Sequence, residues 1–583
     1  MKIRKEIFKL PQIAKNGFLA FKERLLHKAV LADKPWLPHY DSGVPYELQM
    51  PEIPLYQFLQ NAFLSSGQRT AFVYYNRKFT YQHLYGLVTR FASGLKKMGV
   101  EKGDRVAICL PNMPQFLIAY WATLYVGGVV VLINPLLSER EMRMQLANSR
   151  TKVLVVLDRI YPRVQRVREQ TSLEHVVVAL IETYMPAFFK IAFQFQQRMQ
   201  KTHEKIERSG DTVFFRQLLA EAPLTAAERV EPQSQAVLIF TGGVTGTPKA
   251  AMLSHYNLVA NALQARAWIS NLRDGEEVIM AALPFSHSYG MSACHHLAVL
   301  TRSMLVLEPR FEVRRVIRML KRYAVTLFPG VPTMFSAITN EVRKKPVDLS
   351  CVRSCISGGA PLPVSVKQNF ERLSKGRLVE GYGLTEASPI THCNPLQGVN
   401  KEGSIGLPWP NTESRIVDLA RRTPLATGAV GELQVRGPQV MRGYWNMEKE
   451  TGQVIDAQGW LSTGDIGYQD EEGYFFIVDR KKDIIFCGGF NIYPSEVEKV
   501  LQEHPAVAEA AVVPLVDPYY GEVVKAYVVL AKSSTGATES DLINACRGKL
   551  AKYKIPRQIV FRSELPKNML GKVLKRELIA PEA

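Results

Sequence analysis

The sequence predicts an α/β protein built as a large N-terminal unit of βαβ-type sheets covered by helices, followed by a small α+β unit. Three observations carry this. From about Arg69, apolar runs of strand length alternate with segments of helical spacing, the pattern of a parallel sheet with crossover helices. The chain has 583 residues, well beyond the roughly 100–200 of one ordinary domain. After about Gly464 the character changes: charged and Gly-rich turns crowd through GDIGYQDEEGYFFIVDRKKD, and a shorter set of elements follows.

Taken in order, AFVYY reads as a strand. Thr80 then stands as a helix N-cap before Leu84, Leu87, Val88, Phe91, Leu95 and Met98 at helical spacing. Gly99 sits where a left-handed stop belongs. DRVAICL, VVVLI and KVLVVLD are strands, with helices in MPQFLIAYWATLYVG and SEREMRMQLANSR between them. Past Glu231 the strand VLIF runs into a Gly/Thr loop and the helix SHYNLVANALQARAW; VIMAAL, SMLVLE, VTLFP, SCISGG and RLVEGYG are further strands. The small unit reads as helix SEVEKVLQE, strands VAEAAVVPL and EVVKAYVVLA, helix DLINACRGKLA and strand RQIVF. The charged run Arg480–Asp483 is the expected boundary, giving an N-terminal extension over 1–45, a large unit over 46–480 and a small unit over 481–583.

Apolar residues make up 46% and charged residues 22%, as in globular proteins rather than disordered ones. Lys plus Arg exceed Asp plus Glu by 73 to 54, a net +19, which favours anionic partners such as nucleotides or acidic lipid. No nucleic-acid motif accompanies that charge, and nucleic acid is not expected as a partner. Seven scattered cysteines without a CxxC pair argue against a disulfide framework or structural zinc and for a reducing, cytoplasmic setting. Neither a signal peptide nor a run of about 18 apolar residues is expected; the nearest candidate, VVVALIETYMPAFFKIAFQFQQRM, is broken by Glu182, Pro186 and Lys190.

Four constellations could carry chemistry. In Phe240–Lys249 a strand enters three glycines, three threonines and a lysine. Glycines allow close approach to a polyphosphate, amide N–H and hydroxyl groups can satisfy its oxygens, and a lysine adds charge. The spacing is not that of a Walker A loop, and a plain surface turn would look similar. Gly381-Tyr382-Gly383-Leu384-Thr385-Glu386 sets an acid beside a hydroxyl at a strand end, where Mg²⁺ could find an oxygen ligand. Ser462-Thr463-Gly464-Asp465 with Arg480 fifteen residues on could grip the two hydroxyls of a ribose or form an ordinary ion pair. Gly571-Lys572 lies in a basic tail, where a lysine is normally just solvated.

In sum these segments resemble the adenylate-forming superfamily of acyl-CoA synthetases, firefly luciferase and nonribosomal peptide adenylation domains. The resemblance runs from about Tyr56 to Leu578, in motif order: FTGGVTGTPKAAMLSH, ISGGAPLP, EGYGLTEASP, STGDIGY, DRKKDIIFCGGFNIYPSEVE and GKVLKREL. Within the superfamily the chain looks most like bacterial long-chain fatty acid–CoA ligases, on the form TGGxTG and the segment around Ile160–Arg208. The resemblance implies activation of a fatty acid by ATP to an acyl-adenylate with loss of pyrophosphate, then transfer to coenzyme A with loss of AMP. It implies that Thr241, Gly242, Gly243, Thr245, Gly246 and Lys249 cradle the β- and γ-phosphates, and that Gly358, Gly359, Ala360, Tyr382 and Gly383 line the adenine pocket. Thr385 would meet the phosphates, Glu386 would hold Mg²⁺, Asp465 and Arg480 would grip the ribose, and Lys572 would contact the acyl carboxylate and α-phosphate. Lys482 would be the hinge of a mobile small unit, one pose of which presents Gly488 and Gly489 to pantetheine. His287 matches a position near the acyl carboxylate, and Tyr289, Met291, Val331, Met334 and Phe335 are expected liners of an acyl tunnel.

Two departures stand out. Val244 replaces the usual Thr or Ser of the loop, and Ala250 replaces a glycine, adding a methyl where the backbone is expected to turn. Ahead of the resemblance, Ile3, Ile7, Phe8, Leu10, Phe18, Phe21, Leu25 and Leu26 are interleaved with basic residues, as in an amphipathic helix resting on an anionic membrane or packed on the large unit. Assembly as a homodimer is left open. The alternatives are a fatty acyl-AMP ligase that loads a carrier protein, and a non-catalytic nucleotide- or lipid-binding relative.

Overall fold

The computed structural model describes residues 34–199, 206, 211–241, 248–487, 490–531, 536–547, 549–568 and 571–579. Two mainly parallel sheets form the body. One has seven strands in the order Thr212–Phe214, His175–Ala179, Val153–Leu157, Arg105–Cys109, Val129–Leu132, Gln235–Thr241 and Lys249–Ser254. Six of these run parallel and the last is antiparallel at the edge. The other has nine: Leu407–Pro408, Ile390–Cys393, Arg377–Gly383, Ser354–Ser357, Leu327–Gly330, Val278–Ala281, Met304–Leu307, Thr70–Tyr74 and Arg77–Thr80. The central strands read as unbroken Val/Ile/Leu runs because helices cover both faces of such a sheet.

The helix Pro114–Tyr125 shows why the sheets associate. Every one of its residues is buried, as befits a helix apolar all round. One side packs on the strands Arg105–Cys109 and Val129–Leu132. From the other, Phe116 meets Phe285 at 5.4 Å between ring centroids, and the Tyr120 hydroxyl pairs with His296 at 2.8 Å. The first expected cap is present: Thr80 accepts from His83 N at 3.1 Å, the helix Tyr81–Lys97 follows, and Gly99 is left-handed at φ +73°.

A buried ion pair ties strand ends of the nine-stranded sheet together. Arg353 Nη2 reaches both oxygens of Glu277 at 2.5 and 2.6 Å, and Thr326 donates to the same carboxylate at 2.5 Å. Glu277 is 1% exposed. Burial by itself raises its pKa; the Arg353 and Thr326 hydrogen bonds outweigh that and hold the carboxyl below its ordinary 4.5. Stability from this group is therefore present above about pH 4.5 and fades as pH falls through the lower folded-state value. Arg353→Ala leaves the carboxylate buried without its cation and is expected to cost about 3 kcal/mol, the low end for a broken buried pair because Arg353 is partly exposed. Urea unfolding at pH 7 checks this; an unshifted midpoint would refute it.

Two smaller sheets follow. Glu413–Val417, Gly431–Arg436, Leu461–Gln469 and Phe475–Arg480 form an antiparallel sheet of four. The charged stretch after Gly464 thus contains two paired strands, where the sequence reads as turns. The strands Ile485–Cys487, Phe490–Ile492, Val507–Asp517, Gly521–Leu530 and Gln558–Phe561, with the helices Pro494–Gln502 and Glu539–Cys546, enclose a separate apolar core around Ile492, Val497, Val512 and Leu542. Among the described residues no helix is long and apolar enough to cross a membrane.

Candidate functional site

The functional candidates gather where strands of both large sheets end and the four-stranded sheet begins. Thr241 and Gly383 close their strands, Gly358 follows Ser354–Ser357, and His287 follows Val278–Ala281. The carboxyl ends of parallel strands are where such sheets bind ligands.

Asp465 and Arg480 face each other directly across the strands Leu461–Gln469 and Phe475–Arg480. Arg480 Nε lies 2.9 Å from Asp465 Oδ1, and the Tyr382 hydroxyl donates to Oδ2 at 2.5 Å. Asp465 is only 3% exposed. Burial, and then the Asp465 charge, push the Tyr382 hydroxyl well above its ordinary range, so it stays a donor. A carboxylate has about four acceptor positions; these two partners leave room for two ribose hydroxyls.

Thr241 and Lys249 also oppose each other across an antiparallel pair, and the Thr241 hydroxyl donates to the Lys249 carbonyl at 3.3 Å. The loop glycines and threonines between them (Gly242, Gly243, Thr245 and Gly246), with Val244, lie outside the described residues. Ala250 does not sit at a turn: it is buried in the strand Lys249–Ser254, paired with Phe240. The expectation of a turn there is corrected, because Lys249 already pairs with Thr241 in the antiparallel ladder and the Ala250 methyl enters the core.

That strand also recruits a residue without a sequence signal. Trp445 N donates to Ala250 O at 2.8 Å and Met252 N to Gly443 O at 2.9 Å. This sets the Tyr444 ring 5.2 Å from Lys249 Nζ and lets the Tyr444 hydroxyl donate to Glu386 Oε1 at 2.9 Å. Nothing in MRGYW marks such a role; only the non-local pairing supplies it. Burial holds the Glu386 carboxyl above its ordinary value, while the Tyr444 bond and the Arg480 charge pull the other way. Among the described residues no group of three or more His, Cys, Asp or Glu converges as a metal cage. The single carboxylate of Glu386 suits Mg²⁺ held largely by substrate phosphates rather than by a protein cage.

Thr385 lies in the short turn Thr385–Ala387, with its hydroxyl 3.3 Å from Ser288 Oγ, a second contact that the sequence does not signal. His287 Nδ1 accepts from Tyr289 N at 3.2 Å, which puts the ring proton on Nε2; burial lowers the pKa to about 4, so the ring is neutral at pH 7. The Tyr289 hydroxyl donates to Ile356 O at 2.7 Å, and its ring lies under Gly358, where a Cβ would come within 3.0 Å. A side chain at Gly358 would press on that ring, and Gly359 is left-handed at φ +81°. Tyr289, Met291, Val331, Met334 and Phe335 are all buried on this side.

Lys572 approaches from the small unit. Gly571 is left-handed at φ +80°, and a Cβ on it would lie 2.9 Å from Thr333 on the helix Pro332–Lys344 of the body. Asn568 closes the loop: its side chain accepts from Lys572 N at 3.0 Å. Burial, then Arg480, lower the Lys572 pKa to about 8, with Lys482 also lowering it and Asp465 and Asp483 opposing. Lys482 sits in the turn Lys481–Asp483 directly after Arg480. Gly488 and Gly489 lie outside the described residues.

The antiparallel pair Thr241 and Lys249, the buried Asp465 held by Arg480, and a lysine next to a glycine packed on Thr333 of the body thus stand at the strand ends of one enzyme site. Residues 59–445 match the AMP-binding enzyme family and residues 496–572 its C-terminal domain; the chain belongs to that family and is an adenylate-forming acyl-CoA synthetase by class. It is 40% identical to a long-chain-fatty-acid–CoA ligase of Bacillus subtilis over 94% of this chain and 98% of that protein. It is 36% identical to one of Yersinia pestis over the same shares. The crystal structure of ATP-bound MatB from Rhodopseudomonas palustris superposes with a TM-score of 0.78 at 27% identity, covering 90% of this chain and 98% of that one.

Proposed function

We propose that the chain activates long-chain fatty acids: the carboxylate attacks the α-phosphorus of ATP, expelling pyrophosphate, and the thiol of coenzyme A then displaces AMP from the acyl-adenylate. The observation that carries this reading is the left-handed Gly571, next to Lys572, packed against Thr333 of the body, where burial and then Arg480 lower the Lys572 pKa to about 8. The names of the Bacillus and Yersinia relatives support the substrate class.

In this reading Asp465 and Arg480 hold the ribose; Tyr382, Gly383 and the Gly358-Gly359-Ala360 turn flank the adenine. Thr241 and Lys249, with Gly242, Gly243, Thr245 and Gly246, hold the β- and γ-phosphates, and Thr385 meets them too. Mg²⁺ on Glu386 would neutralise phosphate charge. The Nε2–H of His287 orients the acyl carboxylate, and Lys572 neutralises charge as the acyl–phosphate bond forms. The units divide at 1–45, 46–480 and 481–583. Rotation about Lys482 would exchange Lys572 for Gly488 and Gly489 before thioester formation. Peripheral contact of the basic N-terminal segment with an anionic membrane would bring the enzyme to its substrate.

The test is acyl-CoA and AMP formation from ATP, Mg²⁺, coenzyme A and acids of two to eighteen carbons. A rate maximum among the long acids is the expected result. AMP release without acyl-CoA would point to a carrier-protein acceptor, and silence across the series would overturn the reading.

A further inference from the structure

The helix Ala187–Met199 turns apolar side chains away from the protein. Phe188, Ile191 and Phe195 are 78%, 67% and 66% exposed. Their spacing of three and four residues puts them in one stripe of an α-helix. The opposite side holds the helix down. The Phe189 ring meets Tyr75 at 5.8 Å, and Phe193 packs on the main core with the Arg159 guanidinium 5.3 Å from its ring. The lead-in turn Ile181–Tyr184 is fixed as well: Tyr74 donates to Ile181 O at 3.1 Å and the Tyr184 ring meets Phe79 at 5.6 Å. The outward stripe is thus displayed on an anchored element.

The rim of this face is basic. Arg159 is exposed, as are Arg77 and Lys78 on the edge strand. The Arg77 guanidinium lies over Phe79, and that of Arg315 lies 4.1 Å over Tyr75. The two carboxylates acting on Tyr74 in this region, Glu182 and Glu308, are buried, and Glu308 is paired with Arg315.

We propose that this face is a membrane-docking surface, inserting Phe188, Ile191 and Phe195 among the acyl chains of an anionic bilayer while Arg77, Lys78 and Arg159 meet the headgroups. Apolar residues flanked by cations are the pattern of an interfacial helix. At 13 residues the helix is about 20 Å long, too short for a bilayer core of about 30 Å, so it lies in the surface. A second copy fits poorly. A stable dimer buries about 800 Å² per partner, far more than one short helix face, and both copies would bring a +19 charge. Only the purpose of this surface, delivery of membrane-dissolved acids, rests on the long-chain reading.

The test is flotation of the full chain with phosphatidylcholine vesicles containing or lacking about 30% phosphatidylglycerol. The parent is expected to float with the anionic vesicles and to be released by high salt. The variant Phe188→Ser/Ile191→Ser/Phe195→Ser should lose at least about tenfold in vesicle affinity while activating a short, water-soluble acid at the parent rate. Should that variant fold poorly, Phe195→Trp gives a second readout: the new indole fluorescence should be quenched by lipids brominated on their acyl chains. A triple variant that floats like the parent, indole fluorescence in Phe195→Trp that brominated lipid leaves unchanged, or conversion of a parent dimer to monomer without loss of flotation would each overturn the proposal. None of the overturning outcomes depends on which acids the enzyme activates.

Discussion

Replacing Lys572 with alanine is expected to slow acyl-adenylate formation by about 10²–10³, while thioester formation from supplied acyl-adenylate stays close to the parent rate. A preorganised cationic donor at a developing charge contributes a few kcal/mol to barrier lowering, and each 1.36 kcal/mol is about tenfold in rate. The asymmetry follows from the proposed rotation, in which Lys572 leaves the site before coenzyme A enters. ATP–pyrophosphate exchange and single-turnover thioester formation separate the two half-reactions; equal losses in both would remove Lys572 from its assigned role. The pH dependence adds a second readout. With Lys572 near pKa 8, set by burial and by Arg480, the charged form is lost as pH rises through that value. The kcat/KM for adenylation should therefore fall on the alkaline side. Lys572→Arg, whose guanidinium stays protonated, should move that limb upward even if its rate is lower.

Asp465→Ala is expected to lower kcat/KM for ATP by about 10²–10⁴. Hydrogen bonds to a charged group are worth about 1.5–3 kcal/mol each, and the carboxylate is proposed to accept two from the ribose. The substitution also leaves Arg480 and the Tyr382 hydroxyl without the partner that holds them at 2.9 and 2.5 Å. The diagnostic is nucleotide choice. The parent should strongly prefer ATP over 2′,3′-dideoxy-ATP, and the variant should barely distinguish them. A variant that keeps the parent's preference would place the ribose elsewhere.

Much of the architecture is legible because its signals are local. The alternation from Arg69 to Asp158, the Thr80 cap and the Gly99 stop each depend on a few neighbouring residues, and the structure has all of them. Where local signals mislead, the cause is pairing at a distance. The run after Gly464 looks like a chain of charged turns. It becomes two strands because Leu461–Gln469 finds partners in Gly431–Arg436 and Phe475–Arg480. Ahead of the helix start at Ser254, which the structure keeps as an N-cap, the stretch 249–253 reads as loop. It is an edge strand because Gln235–Thr241 lies alongside.

The site divides in the same way. Its chemical inventory is written in the chain: a Gly/Thr/Lys loop, an acid at a strand end, an Asp and an Arg fifteen residues apart, and a lysine near the C-terminal end. These are composition and spacing, which need no fold to be read. Which of them meet is a matter of three-dimensional pairing. Cross-strand register makes Asp465 and Arg480 a pair and brings Tyr382 to the same carboxylate. The bridge between Ala251 and Tyr444 puts a hydroxyl on Glu386. A left-handed glycine packed against Thr333 carries Lys572 to the body. The contacts join residues from fifteen to more than two hundred positions apart, and such proximity is set by sheet pairing and core packing, which no short stretch of sequence encodes.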